Sequence, residues 1–100
     1  MGLPLEFGLL TSNQCVTPAV ATCPTGTATA IAASQPAVVG VLIVADASNG
    51  GVAYIGGAGV TTSTGLDLSA GDSIFLRIAD PSLIYCIGSI ASQVLRIVVL

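Results

Sequence analysis

From Ser73 to Ile78 the chain alternates, with Ile74, Leu76 and Ile78 on one side of an extended strand and Phe75 and Arg77 on the other. One face belongs to a core and the other is partly exposed. The stretch from Ala37 to Ala45 is apolar for nine residues, which is strand length and far short of a membrane-spanning helix. No long segment places apolar residues at i, i+3, i+4 and i+7 with charges opposite, and β-branched residues, Gly and Thr dominate throughout. The pattern predicts strands over Leu5–Leu10, Gln14–Ala21, Thr27–Ala33, Val38–Ala45, Gly51–Ile55, Ser73–Ile78, Ile84–Ile87 and Gln93–Val99. Turn clusters separate them: CPTG, SQP, DASNGG, SAGD, ADPS and GSIAS. Many short strands with such punctuation predict a single all-β domain, an antiparallel β-sandwich or jelly-roll-like barrel, with an N-terminal arm over residues 1–10.

Two local pairings follow from the turns. Asn49-Gly50 has the composition of a type I′ hairpin turn, which would pair VVGVLIVA with GVAYIGG. Asp80-Pro81 marks a second corner, which would fold Ile74, Leu76 and Ile78 back towards Ile84 and Ile87. The final run QVLRIVVL would invite aggregation if exposed, so it is expected inside the sandwich or across a subunit boundary.

Charge changes the picture. Only Glu6, Asp46, Asp67, Asp72, Arg77, Asp80 and Arg96 are charged, against about a quarter of residues in an ordinary soluble domain. A folded monomer of this size exposes roughly 5,000 Å², and so few charges cover little of it. Much of the surface is therefore expected to lie against partner subunits or lipid. Pro18, Pro24 and Pro36 and many Ser, Thr and Gln residues interrupt the charge-free stretch before Asp46, which favours an oligomer over a small membrane protein. The start MGLPLEFGLL lacks the basic region of a signal peptide, and Glu6 stands where a myristoylation signal has Ser or Thr.

The same inventory argues against most chemistry. A net charge of −3 with two separated arginines offers no basic patch for nucleic acid. With no histidine, the usual Ser-His and Cys-His nucleophile pairs cannot be assembled. Three cysteines, Cys15, Cys23 and Cys86, lack a CxxC pair and a fourth thiolate for zinc; buried free thiols are the preferred reading over a Cys15–Cys23 disulfide. The glycines between Tyr54 and Leu76 resemble a phosphate-binding loop in composition, yet the chain has no lysine and Thr62 replaces the last glycine of a dinucleotide fingerprint. They are read as strand turns: Gly56, Gly57 and Gly59 for a bend after Ile55, Gly65 for a second, and Gly71 for the turn before SIFLRI. Asp67 and Asp72 sit in turns, where aspartate usually caps backbone amides rather than working as an acid/base pair or holding calcium. No enzyme, cofactor or metal is expected. Arg77 and Arg96 are read as interface or rim ion-pair residues, with Asp72 and Asp80 as candidate partners.

The second half carries a resemblance. The strand VAYIGG, then GVTTS, a turn with SAGD, the SIF strand, an Asp-Pro corner with Ser82 and Ile84-Tyr85, and a last strand with QVLR together resemble a module of small structural proteins of tailed bacteriophages, over residues 52–100. The resemblance implies a non-enzymatic virion protein: foremost a capsid decoration or cement protein on the outer capsid surface, assembled in the host cytoplasm, or else a tail, baseplate or head-fibre component. The implied partners are the major capsid protein and the chain itself as a homotrimer, with no direct nucleic acid and no membrane. Leu3, Leu5 and Phe7 of the apolar arm, with Arg77 and Arg96, are the expected interface residues.

Overall fold

The computed structural model describes residues 18–100. The expected strand Leu5–Leu10 and the arm with Leu3, Leu5 and Phe7 lie outside them, as does the first half of the strand expected over Gln14–Ala21. The described chain forms eight strands: β1 (Ala19–Cys23), β2 (Thr29–Ala30), β3 (Val41–Ala45), β4 (Ala53–Gly56), β5 (Leu66–Leu68), β6 (Ser73–Leu76), β7 (Tyr85–Gly88) and β8 (Gln93–Val99). They build two four-stranded antiparallel sheets, β1-β8-β3-β6 (sheet A) and β2-β7-β4-β5 (sheet B). Each strand pairs with its counterpart counted from the other end: β4 with β5, β3 with β6, β2 with β7, β1 with β8. The chain is thus one long hairpin, with β4–β5 at its tip, rolled into a sandwich. This is the jelly-roll order, one of the two architectures expected from the sequence.

That nesting overturns both local hairpins. β3 lies in sheet A and β4 in sheet B, so DASNGG carries the chain between sheets rather than folding it back. Neither Asn49 nor Gly50 has the positive φ a type I′ turn demands. Asn49 uses its side chain instead as a substitute strand: its Oδ1 accepts from Val94 N–H at 2.8 Å and its Nδ2 donates to Val94 O at 3.0 Å. Likewise β6 and β7 fall in different sheets, and Asp80-Pro81 opens a 3₁₀ turn, Pro81–Leu83, on the crossing between them. The expected strand Thr27–Ala33 shortens to Thr29–Ala30, and β5 was not expected at all.

The core lies between the sheets. Val41, Ile43 and Ala45 of β3 and Leu95 and Ile97 of β8 meet Ala53 and Ile55 of β4, Leu68 of β5, and Ile84 and Cys86 at β7. The final run is therefore within the sandwich, as β8, between β1 and β3. Ile74, Leu76 and Ile78 pack on the core while Phe75 and Arg77 are exposed, as the alternation predicts.

Two anchors tie loops across the fold. Gln93, the single buried polar residue among those described, accepts Gly51 N–H at 2.8 Å and donates to Ala91 O at 3.0 Å. Asp80 accepts from Ser34 Oγ at 2.6 Å, Gln35 N–H at 3.2 Å and Ser82 N–H at 2.9 Å, joining the loop before β3 to the 3₁₀ turn. The Ser34 bond, above all, holds its carboxyl down to about 2. A depressed folded-state pKa means this stabilisation is present above the unfolded value and lost as pH falls through the folded one. Between about pH 4 and pH 2, wild-type protein is thus expected to lose more thermal stability than Asp80→Asn, measured by circular dichroism melts. Parallel pH profiles of the two proteins would refute the assignment.

Candidate interaction surface

One end of β4 in sheet B is covered by its own chain. After β4 the loop 57–65 folds back so that Val60, buried, sits against Gly56 and Gly65. A Cβ at Gly56 would stand 2.8 Å from Val60 Cγ2; one at Gly65 would stand 2.9 Å from the same atom and 2.7 Å from Tyr54 Cβ. These glycines permit close approach to Val60, and Gly59 supplies a left-handed turn (φ 84°) on the way. Thr61 and Thr64 knit the loop, Thr61 N–H donating to Thr64 Oγ1 at 3.0 Å.

Sheet A has no such cover among the described residues. Register places its outward side chains in rows across the strands. One row runs Val98, Leu42, Phe75; the next Val20, Arg96, Val44, Ser73; the third Thr22 and Val94. Val20 is 59% exposed and Phe75 41%. Beyond the first row, Val38 is 80% exposed and Arg77 continues the line of Phe75 past the end of β6. The result is an apolar sheet face of a kind that a single folded chain normally covers.

Its charge sits to one side. Arg96 stands among Val20 and Val44 but turns its guanidinium to Asp46 Oδ1, 2.8 Å away, just past the end of β3. The pair corrects the expectation of Asp72 or Asp80 as arginine partners. Asp46 also accepts from Ser48 Oγ and Ser48 N–H, and these bonds with the guanidinium hold its carboxyl below the ordinary range. The row Val98–Leu42–Phe75 is left without a charge. Asp72 instead accepts Ser69 N–H at 2.9 Å across the turn containing Gly71 (φ 84°), a local cap as expected. Asp67 lies on the other sheet, paired in register with Tyr54.

Of the expected interface residues, Arg96 lies within this face and Arg77 at its margin; Leu3, Leu5 and Phe7 are outside the described residues. Leu42, Val98, Val20 and Phe75 were not singled out by sequence reasoning. The signal that finds them is the failure to alternate. VLIVA and QVLRIVV are apolar at nearly every position, the signature of strands covered on both faces, whereas a two-layer sandwich covers one.

Among the described residues no helix is long and apolar enough to cross a membrane, and no group of His, Cys, Asp or Glu is arranged to hold a metal. Comparison with protein-family models, with curated proteins and with solved structures found no match to this chain.

Proposed function

We propose that this chain is a non-enzymatic virion structural protein, a decoration or cement protein that binds the outer capsid surface of a tailed bacteriophage through the outer face of sheet A. The observation that carries the reading is the outward row Val98–Leu42–Phe75, half-buried at Val98 and Leu42, exposed at Phe75 and covered by no element among the described residues, flanked by exposed Val20 and Val38 on a chain with few charges. Docking an apolar face removes that surface from water, and the neutral Ser and Thr residues around it cost less to desolvate than charged side chains would. Repetition over a symmetric lattice multiplies modest contacts into firm attachment. The resemblance of residues 52–100 supplies the kind of partner, the major capsid protein, and a homotrimer as the binding unit. The jelly-roll order occurs in viral capsid domains but also in lectins and cupins, so the fold alone decides nothing.

The test is co-sedimentation of the purified chain with capsids of the encoding phage lacking it. Wild-type protein is expected to bind saturably at a fixed ratio to capsid subunits, and Leu42→Asp with Val98→Asp to weaken binding by about 100-fold or more, since burying an unpaired carboxylate is costly. Circular dichroism checks that the variant remains folded. Saturable binding to tails alone would replace the capsid reading with the tail one, and binding to neither would end both. Sedimentation of the free chain in detergent-free buffer reads the trimer separately, as one species of three times the chain mass.

A further inference from the structure

Cys23 and Cys86 are both fully buried in the core, on opposite sheets: Cys23 ends β1 in sheet A and Cys86 lies in β7 of sheet B. Both belong to the one core cluster between the sheets, close enough for each thiol to perturb the other's titration. The backbone fixes this meeting. Immediately beyond Cys23, Pro24 O accepts Gly88 N–H at 2.8 Å, and Gly88 is close enough that a Cβ on it would lie 3.6 Å from Cys23 O. Cys86 is held from its own sheet by Ile55 on one side and Thr29 on the other. Two thiols thus face one another across the sandwich, with both strands pinned at the point of contact.

We infer that Cys23 and Cys86 are a latent covalent site, which closes to a disulfide stapling sheet A to sheet B when the protein meets a disulfide oxidant. The chemistry is thiol–disulfide exchange with a low-molecular-weight disulfide, RSSR. The Cys23 thiolate attacks one sulfur of RSSR, forming a mixed disulfide and expelling RS⁻. The Cys86 thiolate then attacks Cys23 Sγ, forming the Cys23–Cys86 bond and expelling the second RS⁻. Two protein thiols lose two protons and two electrons, and RSSR is reduced to two RSH. The neighbouring Cys86 thiol, together with burial, holds the Cys23 thiol well above its ordinary range and keeps it neutral while the fold is closed. Access comes through β1, an edge strand that pairs with β8 alone, so local opening there uncovers Cys23 without dismantling sheet B. In a reducing cytoplasm the pair stays open, and in an oxidising exterior it closes. The staple joins residues far apart in the chain, the case in which a cross-link most restricts the unfolded state. This inference is independent of the docking face on sheet A.

The experiment incubates the folded full chain, as wild type and as Cys15→Ser, with oxidised glutathione. Cleavage after Arg77 and Arg96 places Cys23 and Cys86 on different peptides. The expected result in both proteins is one linked pair of these peptides, a loss of about 2 Da and a melting temperature raised by roughly 10–20 °C, reversed by dithiothreitol. In Cys15→Ser the link is unambiguous. Glutathione adducts without a cross-link, a Cys15–Cys23 bond in the wild type, or a cross-link that forms only in urea would each overturn the inference, as would a closed bond that leaves the melting temperature unchanged.

Discussion

Replacing Ile43 by alanine is expected to lower the free energy of unfolding by about 2–5 kcal/mol, the range for large-to-small substitutions at sites that cannot collapse. Ile43 is completely buried in β3, with Ile97 of β8 on one side in register and Ile74 of β6 on the other. Both neighbours are held in their own ladders, so neither can move far into the space left behind. Domains of this size have about 5–15 kcal/mol in total, so the variant would be close to unfolding at ordinary temperature. Urea titration followed by circular dichroism measures it; a midpoint shift worth less than about 1 kcal/mol would mean that the sheets close over the gap, contrary to the rigid packing described.

The second large effect is expected at Gly40. A Cβ there would stand 2.4 Å from Leu76 O and 2.6 Å from Phe75 Cζ. The ring has room to swing outward, because Phe75 lies on the open face. The carbonyl does not, because Leu76 is opposite Val41 in the β3–β6 ladder. Gly40 is also bonded in both directions to Leu100, donating at 3.1 Å and accepting at 2.8 Å, so its own backbone has little freedom to retreat. Gly40→Ala is therefore expected to cost about 1–3 kcal/mol through forced displacement of the edge strand. Adding Phe75→Ala separates the two clashes: most of the cost should persist in the double variant, because the carbonyl contact remains. Full recovery would assign the cost to the ring.

The fold class was legible because nearly every segment carries the strand signals of β-branched residues and turn clusters, with nothing at helical period. Pairing was not legible. Asn49-Gly50 and Asp80-Pro81 look like hairpin turns because turn chemistry is local, but in this fold turns mostly carry the chain from one sheet to the other, and partners lie far apart in sequence. Asn49 shows the physical reason: its amide has the same donor and acceptor as a peptide group and serves as a strand partner to Val94, a use no dipeptide rule anticipates. β5 escaped because three residues, Leu66–Leu68, beside a Thr/Ser/Gly loop are too few to show a period. For the candidate surface, Arg96 stood out by charge, while its apolar neighbours were hidden by their likeness to core residues. Only the layer count, two sheets and one core, tells which side of β3 and β8 is left over.

The nested strand order also bears on how the chain is made. Synthesis proceeds from the N-terminal side, so β1 and β3 both exist well before β8, the strand that will separate them in sheet A. In that interval each has an unpaired inner edge. Neither VLIVA nor AVATC carries a charge or proline to discourage pairing with another strand. A nascent chain stalled at this point has two sticky edges and no occupant for the slot between them, which makes the delay before β8 emerges the interval of greatest exposure to misassembly with neighbouring chains.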